Sequence, residues 1–120
     1  MKSLFHSLLL LFFLFFGNVV SASENEDIQY LLSFIRSSDC VFIRNGDEHP
    51  SKEASEHLEM KYNHVKKRIH TAEDFIDKIA SKSSLSRKQY TVQCGEVLLP
   101  TKQWLEEALK SHRTTTGTHK

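Results

Sequence analysis

The sequence predicts a small α+β domain, mainly helical: about four helices packed on a two-stranded ribbon, with one disulfide. Three observations carry this expectation. Apolar residues recur at helical spacing in four separate stretches. Two short β-rich runs, residues 40–44 and 90–94, stand apart from those stretches. Each run holds one of the two cysteines, so pairing the runs as neighbouring strands would bring Cys40 and Cys94 within bridging distance.

At 120 residues the chain has room for one domain. Four Gly are too few for a glycine-rich phosphate cradle. Sixteen Lys and Arg against fifteen Asp and Glu leave no basic excess to attract nucleic acid.

Taken in order, the chain opens on Met1-Lys2 and an apolar run over residues 4–16, broken by His6 and Ser7. Gly17-Asn18 ends the run, and Val20-Ser21-Ala22 offers short side chains to a signal peptidase. This is the layout of a secretory leader, with cleavage expected after Ala22. A run of about a dozen apolar residues falls short of the ~20 that span a bilayer, so no permanent membrane span is expected. The organisation read from this is a leader over 1–22, one globular domain over 23–112, and a disordered tail over 113–120.

Ser23 and Glu26 have capping-box spacing, and Ile28, Leu31, Leu32 and Ile35 make one helical stripe, so a first helix is predicted over 25–37. A strand over 40–44 meets Asn45-Gly46, a tight-turn dipeptide. Residues 47–51 read as a loop. A second helix over 52–69 buries Ala54, Leu58, Tyr62, Val65 and Ile69. Thr71 caps a third, with Phe75, Ile76, Ile79 and Ala80 inward. The serine-rich residues 81–88 read as a loop, 90–94 as the second strand, and the residues from Gly95 to Pro100 as another loop. Thr101 caps a fourth helix with Trp104, Leu105, Ala108 and Leu109 inward. No internal repeat is evident along this path.

A family resemblance rests on several of these motifs. They are Phe42-Ile43-Arg44-Asn45-Gly46, His49, Glu53-Ala54, His57-Leu58, Lys61, Thr71-Ala72-Glu73-Asp74-Phe75-Ile76, the serines of 81–86, Tyr90 and Trp104-Leu105. Together they resemble the YfeK-like family of small exported bacterial proteins, whose domain has no known function. The likeness covers residues 28–109. It implies a Gram-negative envelope location and supplies no activity. One departure stands out: Arg87 occupies a position where such sequences commonly carry Gly, and a positive φ there would strain an arginine.

Exported chains meet an oxidising compartment, which supports a Cys40–Cys94 disulfide. For a closed loop of that length the chain-entropy model gives about 4 kcal/mol. His49, Glu53 and His57 are four apart, which is a metal-ligand spacing on a continuous helix, but Pro50 separates His49 from it. No metal or other cofactor is therefore expected. His57, Lys61, His64 and Arg68 form a polar stripe on the second helix. The residues expected to line a ligand pocket or partner surface are Arg44, Asn45, His57, Lys61, Ser83 and Tyr90, which combine polar reach with positions flanking the strands. The function expected is an exported, periplasmic or secreted, binding or interaction module without a catalytic motif. Its partner class would be an envelope protein or a cell-wall fragment. The alternative is a small hydrolase or metal-dependent enzyme using His57 and the 81–86 serine loop, although no nucleophile elbow is present.

Overall fold

The computed structural model describes residues 21–117. Residues 1–20 of the leader expected over 1–22 lie outside these residues, as does the end of the chain from residue 118. The first helix, α1, is Ala22–Ser37. It starts earlier than the expected 25–37 because Ser21, not Ser23, is its cap, accepting from the Glu24 amide at 3.3 Å. The same Ser-x-x-Glu spacing occurs twice, two residues apart. Ile28, Leu31, Leu32 and Ile35 are all buried, as their stripe requires.

Strand β1, Val41–Arg44, is followed by β2, Asp47–Pro50. They pair antiparallel, Val41 with Pro50 through Arg44 with Asp47. The reading of 47–51 as a loop is thus corrected. Asn45 and Gly46 both have positive φ (53° and 86°), which closes a two-residue hairpin and fixes the register of whatever follows. An edge strand tolerates the charges and terminal proline of Asp-Glu-His-Pro, which lower its apparent β-propensity. The second hairpin corrects the second loop in the same way: β3 is Thr91–Cys94 and β4 is Val97–Pro100, turning at Gly95 with φ 63°. The sheet therefore has four antiparallel strands in the order β2-β1-β3-β4, in place of the two-stranded ribbon. The two central strands are the two expected ones, and Cys40 and Cys94 form the disulfide with Cα atoms 4.6 Å apart.

This register contains a repeat. Thr91 pairs with Pro100 as Val41 pairs with Pro50, fifty positions earlier. At the centre Phe42 pairs with Val92, its own counterpart, flanked by Val41 with Gln93 and Ile43 with Thr91. The hairpins are thus related by a pseudo-twofold axis through the Phe42–Val92 pair. Each hairpin runs straight into a helix: α2, Ser51–His64, after Pro50, and α4, Thr101–Thr116, after Pro100. The expectation of no repeat is corrected, since Pro50-Ser51-Lys52 and Pro100-Thr101-Lys102 are its visible trace.

A 3₁₀ turn, Lys66–Arg68, follows α2. Helix α3 begins as Ala72–Asp74, capped by Thr71 accepting from the Asp74 amide at 2.9 Å, and continues as a π-helix, Phe75–Ala80. The helices cover one sheet face, where Phe42 and Val92 are buried with Leu58, Tyr62, Phe75, Ile79 and Leu105. Val41 and Leu98 stand exposed on the other face. Residues 113–116, expected in the tail, continue α4. Arg113 bonds there to Asp27, Glu24 and Glu73, tying α4 to α1 and α3. In the serine loop Arg87 has φ 67°, the strained conformation considered above.

Candidate functional site

The hairpin-to-helix path places a cavity of about 400 Å³ between α2 and the sheet. Its floor is Phe42, Ala54 and Leu58, and its polar walls are Arg44, His49, His57, Tyr90 and Thr101. Glu53, Glu56 and Met60 stand at the mouth. Arg44 closes β1 on the helix-covered face, two residues beyond Phe42, so strand alternation aims it at α2. Its Nη1 lies 3.1 Å from His57 Nε2 and 3.5 Å from Nδ1. A guanidinium only donates, so the imidazole nitrogen it meets is an acceptor and the ring is neutral. Burial holds His57 below the ordinary imidazole pKa, and the charges of Arg44, Lys61 and His49 add to the effect. No carboxylate lies within ion-pair distance of Arg44 among the described residues.

Lys61, one turn beyond His57, is occupied differently. Its Nζ donates to the carbonyls of Ile79 (2.9 Å) and Lys82 (3.1 Å) and to the Tyr90 hydroxyl oxygen (3.3 Å). All three ammonium protons have acceptors. Ile79 lies in the last turn of α3, where carbonyls lack helical partners and the helix dipole favours a cation. Burial, then Arg44, lowers the pKa of Lys61. Burial raises that of Tyr90, with Arg44 opposing. Tyr90 thus stays a phenol whose own proton is left to donate.

Two polar atoms in the walls are buried without a partner: Thr101 Oγ1, in a residue 1% exposed, and His49 Nε2. The other imidazole nitrogen of His49 lies 3.4 Å from Glu53 Oε2. A second groove of about 470 Å³ adjoins the first, sharing His57 and Met60, and carries Lys61, His64, Arg68 and Lys78. It is the polar stripe read on the second helix.

Of the six residues expected at a contact surface, the structure brings Arg44, His57 and Tyr90 into one cavity, with Lys61 bonded to the Tyr90 hydroxyl. Asn45 and Ser83 serve turns. Asn45 Oδ1 accepts from Ser86 Oγ at 2.5 Å, and Ser83 Oγ accepts from the Ser86 amide at 3.3 Å. No hydrogen bond joins His57 to Ser83 or Ser84 among the described residues. No group of three or more His, Cys, Asp or Glu among them could hold a metal ion. Thr101 is not the expected cap of α4, a position that Pro100 holds with no side-chain bond, and its place in the wall was not foreseen, nor was the opening at Ala54. The repeat was the signal that could have found both.

The fold and cavity define a small one-disulfide α+β protein with a mixed apolar and cationic pocket. The family model described as a family of unknown function (DUF5329) matches residues 22–113, and the chain belongs to that family. An uncharacterized protein, YfeK, of Salmonella typhimurium (strain LT2) is 44% identical over 72 residues, 59% of this chain and 60% of that protein. The chain therefore spans about three-fifths of the length of this curated relative. No solved structure matches. No helix of the described residues is long and apolar enough to cross a membrane.

Proposed function

We propose that this protein is a small exported binding module of the Gram-negative envelope that holds a small ligand in the cavity between α2 and the sheet. The buried, unpartnered Thr101 hydroxyl carries this reading. Burying a polar group without a hydrogen bond costs about 1–3 kcal/mol, a cost that a ligand filling the pocket would remove. An apolar floor with a few convergent polar groups is the usual make-up of a small-molecule site. A concave pocket favours a cell-wall fragment over a broad protein surface as partner class. The leader read over residues 1–22 and the Cys40–Cys94 bridge support an oxidising compartment.

The test is retention of small molecules. The mature protein and an Ala54→Trp variant, which plugs the floor, are incubated with a small-molecule extract of the host envelope. They are then washed, and the eluates compared by mass spectrometry. A compound held by the wild type and absent from the variant is expected. Identical eluates from the two proteins would overturn the reading.

A further inference from the structure

Resting on that pocket reading, we infer that its ligand is a compact monoanion: a carboxylate facing Arg44 and Tyr90, joined to an apolar body of aromatic-ring size lying over Phe42 and Ala54. The repeat sets the size of the ligand. The counterpart of Ala54, fifty positions on, is Trp104, whose ring lies 5.5 Å from that of Phe42 and 4.6 Å from that of Phe34. Phe42 sits on the pseudo-axis, so both helices approach the same central strand residues. In one half an indole covers them, and in the other a methyl group leaves the space open. The hydroxyls differ in the opposite sense. Ser51 Oγ donates to the Arg36 carbonyl at 3.0 Å, whereas its counterpart Thr101 has no partner for Oγ1. Thr101 belongs to the half with the indole but lines the same cavity as Ala54, so one ligand with a ring and a polar group fills the space over Ala54 and partners Thr101 Oγ1.

The free donors set its charge. Lys61 has all three protons engaged, so Arg44 is the cation with donors to spare, beside the phenol proton of Tyr90. A planar guanidinium suits a planar carboxylate. Glu53 and Glu56 at the mouth already have partners, His49 at 3.4 Å and Arg36 at 3.7 Å, and their side chains are more than half exposed. They oppose a second negative charge on the ligand, which favours a carboxylate over a phosphate dianion. With Nδ1 of His49 donating to Glu53, its buried Nε2 is an acceptor for one N–H or O–H of the ligand body.

Isothermal titration of the mature protein with indole-3-propionate and its uncharged amide tests this. The acid binds about tenfold or more tightly than the amide, as a charge-assisted hydrogen bond implies. Arg44→Gln erases that difference, Tyr90→Phe reduces it, and Ala54→Trp abolishes binding of both. Amide-proton dispersion checks that each variant is folded, and Tyr90→Phe, which removes one oxygen, serves should the others unfold. Equal binding of acid and amide, both lost in Ala54→Trp, overturns the anion assignment and leaves the pocket reading standing. So does failure of both probes when another compound binds the wild type and not Ala54→Trp. Binding of the acid unchanged by Ala54→Trp overturns both readings.

Discussion

Arg44 Nη1 sits 3.1 Å from His57 Nε2, a guanidinium donating to a neutral imidazole, with no carboxylate in ion-pair distance of Arg44 among the described residues. Burial first, and Arg44 next, lower the folded-state pKa of His57. The unfolded chain therefore takes up the proton at higher pH than the folded one. Stability from the neutral ring is complete above the unfolded value near 6.5 and is lost as pH falls from there through the folded value. The urea midpoint should fall between pH 7.5 and 5.5 more in the wild type than in His57→Gln, and equal falls would rule out this linkage. Protonation of His57 would also set two cations against each other at the pocket wall.

Arg87 has φ 67°, and left-handed backbone costs a residue with a Cβ roughly 1–2 kcal/mol. Glycine removes that strain but adds unfolded-state entropy worth roughly 0.5–1 kcal/mol. Arg87→Gly should therefore stabilise the protein by about 0.5–1 kcal/mol in urea denaturation. A loss of stability would show that the arginine side chain contributes more than its backbone costs.

Arg113 is the hub of an ion network: its Nε donates to Asp27 Oδ2 at 3.0 Å, and its side chain also reaches Glu24 and Glu73. The Asp27 side chain is 3% exposed, that of Glu73 60%. Removing one partner of a buried pair costs about 3 kcal/mol or more, whereas an exposed pair is worth about 1 kcal/mol or less. Arg113→Met should destabilise strongly and Glu73→Gln weakly. Equal effects in chemical denaturation would contradict the burial argument.

The Cys40–Cys94 bridge closes a loop of sequence separation 54. The chain-entropy model gives about 4 kcal/mol for such a loop. Cys40→Ala/Cys94→Ala should lower the unfolding free energy by up to that amount. An unchanged urea midpoint would show that the two hairpins hold each other without the bond.

Much of this architecture was legible in the residues because helical stripes depend on local spacing. Ile28, Leu31, Leu32 and Ile35 could face only one way, and Thr71 capped α3 as its position demanded. The edge strands were hidden for a physical reason: Asp-Glu-His-Pro is paired on one side only, so its side chains obey solvent more than the sheet. What specifies it as a strand is the Asn45-Gly46 turn before it. The site was half legible. Arg44, His57 and Tyr90 were marked by polar reach beside the strands, whereas Ser83 and Asn45 spend their side chains on turns. Lys61 was marked too, but its role as cap of α3 depends on a contact eighteen residues away. Thr101 became a wall residue only through tertiary packing, and Ala54 matters for what it lacks.

The central claim is that the cavity at Arg44, His57 and Tyr90 binds a small ligand. Its most direct test is an NMR titration of isotope-labelled mature protein with indole-3-propionate, followed by the same titration of Ala54→Trp. The account predicts saturable shifts at the amides of Arg44, Ala54, His57, Tyr90 and Thr101 in the wild type and none in the variant. Shifts centred elsewhere, or persisting in the variant, would contradict it.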